Sequence, residues 1–172
     1  MYQRTRVLAA ACAVALLAGC GGPATFVSLD PPPATTADAW FAAGAPAVRD
    51  ALLLALTSEG FSLDSGGPKT LVATKHAVPY IDEETAAPVS GPLPVYVLEG
   101  TVARPNQTHV RLVLSVRHQG TRDAPFEWEY PTDVLRAVLD RTRDALREPR
   151  ARYHLPPRFR APRWRRPSRP RY

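Results

Sequence analysis

The sequence predicts an α+β fold: a two-layer sandwich in which an antiparallel sheet of three to five strands packs against two helices. Two stretches carry apolar residues at helical spacing, one early and one late in the chain. Between them, several stretches alternate apolar and polar residues with a period of two. Helices and strands are thus segregated along the chain. That order argues against a parallel sheet built from alternating strands and helices.

The first helix is expected over Pro46 to Glu59. Pro46 suits the first helical position because its missing N–H would have no intrahelical partner there, and Gly60 suits the left-handed stop. Val48, Leu52, Ala55 and Leu56 share one face, which Leu53 and Leu54 broaden. Phe61 to Leu63 begins a strand, and the turn residues Ser65-Gly66-Gly67-Pro68 lead into a second strand, Thr70 to His76. Residues 77–92, with their prolines and the acidic run Asp82-Glu83-Glu84, read as a loop. Val95 to Ala103 and His109 to His118 form a second hairpin. In the latter, Val110, Leu112, Leu114 and Val116 face one way, while Arg111, Ser115 and Arg117 face the other. Phe126, Trp128 and Tyr130 alternate with Glu127 and Glu129, giving a strand with an aromatic inner face. The second helix is expected over Asp133 to Arg147, capped by Thr132 or Asp133 and stopped by Pro149. Its buried stripe is Val134, Leu135, Val138, Thr142, Ala145 and Leu146.

The flanks read differently. Residues 20–37, with Pro31-Pro32-Pro33, are expected to be a tether, within which Ala24 to Leu29 is a weak edge-strand candidate. Asp38 to Phe41 is expected to form a short helical turn. Residues 38–149 make the folded domain, and residues 150–172 a disordered Arg/Pro-rich tail. Charge follows the same division. The 22 basic and 16 acidic residues give +6 overall. Nine arginines lie in residues 150–172, which contain no acid, and Arg4 and Arg6 lie in the leader. Residues 20–149 therefore keep 11 basic and 16 acidic groups, or −5. The chain is a mildly acidic domain carrying a basic tail.

The first 19 residues are an address. Arg4 and Arg6 precede the apolar run Val7 to Ala18, which falls short of the ~18 residues of a membrane span, and small residues follow. The ending Leu17-Ala18-Gly19-Cys20 resembles the lipobox of bacterial lipoproteins. The resemblance implies that the Cys20 thiol receives a diacylglycerol, that the leader is cut before it, and that the new amine is acylated. Several acyl chains anchor a protein firmly, since each buried CH₂ contributes ~0.8 kcal/mol. Gly21 follows Cys20, where aspartate would mark inner-membrane retention in enteric bacteria; by that analogy the protein sits on the periplasmic face of the outer membrane. Cys12 leaves with the leader, so the mature chain has no free thiol, which suits an oxidising compartment.

Catalytic signatures are missing from the sequence. There is no Gly-x-Ser-x-Gly elbow, and Ser65 belongs to a turn. His76, His109, His118 and His154 show no helical ligand spacing, and His109 and His118 point to opposite faces of one strand. The acidic run at 82–84 lacks the spaced oxygens of a calcium loop. No cofactor, metal or catalytic residue is expected, and an enzyme would require groups such as Glu99, His76 and Asp82 to converge.

The tail is the pronounced feature. Arg158, Arg160, Arg163, Arg165, Arg166, Arg169 and Arg171 alternate with prolines and with Phe159, Trp164 and Tyr172. Arginine makes paired hydrogen bonds to phosphate and carboxylate. A secretory leader argues against nucleic acid, which leaves phospholipid headgroups, anionic envelope polymers such as peptidoglycan or lipopolysaccharide, or the domain's own acidic run, as partners. In order of elements and size the chain is also weakly similar to small outer-membrane assembly lipoproteins. The expectation is a non-enzymatic, lipid-anchored envelope protein, an assembly or scaffold factor or a wall tether with a possible protein partner. The alternative is a periplasmic carrier of lipid or another small hydrophobic molecule around Phe126, Trp128 and Tyr130.

Overall fold

The computed structural model describes residues 23–81, 92–103, 107–118, 125–149 and 151–164. In chain order, the elements are β1 (Thr25–Ser28), β2 (Thr35–Phe41), α1 (Ala45–Ser58), β3 (Ser62–Gly66), β4 (Thr70–His76), β5 (Val78–Pro79), β6 (Val95–Ala103), β7 (Thr108–Arg117), β8 (Phe126–Glu129), α2 (Pro131–Leu146) and β9 (Arg152–His154). The fold is α+β, with two antiparallel sheets and two helices. The main sheet has the order β3-β4-β6-β7-β2-β9, and a smaller one has the order β1-β8-β5.

The main sheet has six strands, more than its sequence patterning suggests. The added strands come from the flanks. Residues 35–41 belong to β2, which pairs with β7 along its whole length, Thr35 opposite Leu114 and Phe41 opposite Thr108. The expected helical turn at Asp38 to Phe41 is therefore a strand. The reason is its period of two: Thr35, Ala37, Ala39 and Phe41 are buried, while Thr36, Asp38 and Trp40 lie on the opposite face. β1 pairs with β8, Phe26 opposite Trp128, so the edge-strand candidate at Ala24 to Leu29 forms as Thr25–Ser28, and the residues expected as a tether hold β1 and the start of β2. β9 pairs with β2, inside the residues expected as a disordered tail.

One face of the main sheet carries the core. Leu71 and Ala73 of β4, Tyr96, Leu98 and Val102 of β6, and Val110, Leu112 and Leu114 of β7 all point to it and are buried. The two helices pack side by side on this face, α1 over β3 and β6, α2 over β2 and β7. α1 contributes Val48, Leu52, Ala55 and Leu56; α2 contributes Val134, Leu135, Val138 and Leu139. On α2, Leu139 belongs to the buried stripe and Ala145 is exposed. α2 starts at Pro131, with Tyr130 as its N-cap and no side-chain cap, so neither Thr132 nor Asp133 has the capping role. Its end is set by Arg147, which takes the left-handed conformation at φ 55°.

The small sheet shares this core face with the helices. Tyr96 of β6 packs edge-on against Trp128 of β8, with ring centroids 6.1 Å apart. The Tyr96 hydroxyl accepts the Glu129 N–H at 2.8 Å. Burial is the main reason its pKa is raised, and the carboxylates of Glu129 and Glu127 add to the effect. Lys75 Nζ reaches both Glu129 oxygens, at 2.9 and 2.7 Å, and so ties the two sheets together. Trp128 Nε1 donates to the Ser28 carbonyl at 2.8 Å, which satisfies the one polar group of a side chain only 1% exposed.

Candidate functional site

Two surfaces carry the candidate side chains: the chain beyond α2, and the face of the main sheet turned away from the helices.

The chain beyond α2 is a strap. Glu148 turns back, and its carboxylate accepts the N–H groups of Ala42 and Ala43 at 3.0 and 2.7 Å. β9 then joins the sheet edge, and Tyr153 donates its hydroxyl to the Leu139 carbonyl at 2.9 Å. Burial, followed by the charge of Asp140, pushes that hydroxyl's pKa up to about 12, so it stays a donor. Pro156 and Pro157 hold the chain extended. The Arg158 guanidinium then pairs with the Asp133 carboxylate and lies 4.2 Å from the centre of the Tyr130 ring. Phe159 packs edge-on against Phe26, at 5.4 Å, and tilted against Tyr130, at 5.5 Å. Farther on, Trp164 reaches Tyr80 at 6.0 Å.

This geometry revises the sequence-based tail. Arg158 is not an open anion contact, because Asp133 already holds its charge. Arg160 and Arg163 are exposed. Arg165, Arg166, Arg169 and Arg171 lie outside the described residues, as do Cys20 and the acidic run Asp82-Glu83-Glu84. The intramolecular clasp expected for the tail exists at a different acid, Asp133 in the first turn of α2, where a negative charge suits the helix dipole.

On the open sheet face, strand register builds a second constellation. Asp38 lies between Arg111 of β7 and His154 of β9; Trp40 lies between His109 of β7 and Arg152 of β9. Asp38 Oδ1 accepts Arg111 Nε at 2.9 Å and faces His109 Nε2 at 2.7 Å. Burial opposes ionisation of Asp38. The hydrogen bonds and charges of Arg111 and His109 outweigh it and hold the carboxyl below its ordinary value. Because a carboxylate only accepts, His109 Nε2 must carry a proton. The Trp40 indole stacks on the His109 ring, with centroids 5.0 Å apart and planes 21° apart. Reading residues 38–41 as a helical turn hid this cluster. The alternation of Asp38 and Trp40 with Ala37, Ala39 and Phe41 is the signal that exposes it.

The remaining candidates do not converge. His76 lies opposite Val95, while Glu99 lies opposite Val72, four residues along β4 from His76. His118 packs edge-on against Phe126 at 5.7 Å, and both its ring nitrogens are buried without a hydrogen-bond partner among the described residues. No group of three or more His, Cys, Asp and Glu that could hold a metal occurs among the described residues. No described helix is long and apolar enough to cross a membrane. No protein-family model matches the chain, and no curated protein matches it in sequence.

Proposed function

We propose that this is a lipid-anchored, non-enzymatic envelope protein, held on the periplasmic face of the outer membrane through Cys20. There it serves as an assembly or tethering factor that engages an anionic envelope polymer through its arginine-rich end. The observation that carries the reading is the strap. Arg158 and Phe159 fix the chain against Asp133, Tyr130 and Phe26, and the exposed Arg160 and Arg163 follow from that fixed point. An arginine run that starts from a rigid base loses less conformational freedom on binding than a free arm would. Each arginine near a charged surface contributes about 1 kcal/mol, screened by salt. The Leu17-Ala18-Gly19-Cys20 motif supports the anchor at the opposite end of the chain.

The carrier alternative drew on Phe126, Trp128 and Tyr130; Phe126 and Trp128 are packed within the core, and the half-buried Tyr130 packs against Phe26, Phe159 and Arg158.

The test keeps the strap intact, since cutting at residue 149 would remove β9 with it. Arg160, Arg163, Arg165, Arg166, Arg169 and Arg171 are changed together to Gln in the full chain. Mature protein is solubilised in detergent and pelleted with peptidoglycan sacculi at low and high salt. Pelleting of the wild type that salt reverses and the Gln variant lacks is the expected result. Equal pelleting of both, or of neither, removes the tail from the proposal. The anchor is read separately: Cys20→Ser should move the protein from the membrane to the soluble fraction and abolish the acyl mass on the mature N-terminus.

A further inference from the structure

We infer that the open face of the sheet around Trp40 is a second, independent binding surface, built for an acidic glycan chain. It depends on neither the anchor nor the arginine tail.

The register places six side chains in two adjacent cross-strand rows, Arg111-Asp38-His154 and His109-Trp40-Arg152. Four of them can carry positive charge, and one is an acid. Asp38 is shielded, its side chain 15% exposed, and is spent on Arg111 and His109. Arg152 and His154 have no ion-pair partner among the described residues, and the Arg111 side chain is 56% exposed. The surface therefore presents four cationic side chains around Trp40, with Asp38 drawn inward and the exposed Glu99 diagonal to Arg111 on β6, two strands away from Trp40. At its centre lies a large apolar side chain that the fold leaves in water: Trp40 is 36% exposed. The His109 ring on the neighbouring strand stacks against one side of the indole and fixes its orientation.

This combination matches a particular chemistry. The negative face of an indole attracts the partly positive C–H groups of a pyranose ring. A guanidinium grips a carboxylate through paired hydrogen bonds. Neighbouring strands lie about 4.8 Å apart, so Arg111 and Arg152, on β7 and β9 with β2 between them, flank the indole at roughly the spacing of two strand steps. A sugar on Trp40 would then bring its own or its neighbours' carboxylates to either arginine. A flat, exposed sheet face suits a chain lying along it better than an enclosed small molecule.

The experiment uses the full mature chain in detergent, with ¹⁵N-labelled tryptophan indoles, the Trp40 signal being assigned by Trp40→Phe. The probes are an oligogalacturonate, a neutral chitin hexasaccharide and anionic phosphatidylglycerol vesicles. The expected result is a saturable shift of the Trp40 indole with the oligogalacturonate and little with the neutral sugar. Affinity should fall tenfold or more in Trp40→Ala and in Arg152→Gln. Arg152→Gln leaves the Asp38 network untouched, so a folding defect does not confound it. The variant with six tail arginines replaced by Gln should keep the shift, which separates this surface from the tail reading. Absence of a shift with the oligogalacturonate, a shift unaffected by Arg152→Gln, or a response to vesicles alone would overturn the inference.

Discussion

The Arg158 guanidinium lies 4.2 Å from the centre of the Tyr130 ring while pairing with Asp133, so a residue of the basic tail is built into the mouth of α2. Tyr130 is the N-cap residue of that helix, and Asp133 is in its first turn. Arg158 thus links the strap to a helix terminus, and Phe159 beside it links the strap to the small sheet through Phe26. Arg158→Ala, which loses a partly exposed cation–π contact and ion pair, should cost about 1 kcal/mol. Phe159→Ala should add to it. The more specific readout is limited proteolysis: cleavage after Arg160 and Arg163 should accelerate in both variants well below the global unfolding transition. Unchanged cleavage would show that these contacts do not hold the strap.

Asp38 links acidity to stability. Its folded pKa lies below the ordinary value because Arg111 and His109 favour the carboxylate against the opposing effect of burial. Its contribution is therefore fully present above the unfolded value of about 3.9 and is lost as pH falls through the lower folded value. Asp38→Asn should be less stable than the wild type at pH 7, by up to about 1 kcal/mol for a surface network. The difference should close as pH drops below about 4. Urea titrations of both proteins from pH 7 to pH 3 give the comparison.

Gly100 sits in the middle of β6 on the core face. A Cβ there would lie 2.9 Å from Leu71 Cγ and 3.2 Å from Leu112 Cδ2. Leu71 is 2% exposed and Leu112 0% exposed, so neither side chain has free space to retreat into. Gly100→Ala should destabilise the fold by about 1–3 kcal/mol through overpacking, despite the better strand propensity of alanine. A thermal midpoint at or above that of the wild type would show that the two leucines repack at no cost.

Glu148 closes the turn between β2 and α1 by accepting the N–H groups of Ala42 and Ala43. On the other side of that turn, Thr108 donates its hydroxyl to the Ala43 carbonyl at 2.6 Å. α1 has no side-chain cap at Gly44, and these bonds instead fix the chain just before its N-terminus. Hydrogen bonds to a charged group are worth about 1.5–3 kcal/mol in favourable settings. Glu148→Ala should lose roughly that amount and raise amide exchange at Ala42 and Ala43, whereas Glu148→Gln should recover part of it.

The sequence by itself determined the elements whose burial is local and periodic. β4, β6 and β7 are legible because each is a run of seven or more residues, rich in apolar and β-branched side chains, that places every second residue on one buried face. The helices are legible because their apolar residues recur at helical spacing, and the α+β class follows from the order of these pieces. Tertiary structure decided everything short or dependent on a distant partner. β9 has three residues, and β5 has two; neither carries a pattern of its own, and each is a strand only because β2 or β8 offers it an open edge. The same holds for the candidate sites. An arginine run is visible in the sequence, but that Arg158 is spent on Asp133 depends on a return of the chain across 25 residues. The Asp38, Trp40, His109 and Arg152 surface joins three strands far apart in the chain. Periodicity records which face a side chain takes, while pairing and register, set by the whole core, decide which side chains meet there.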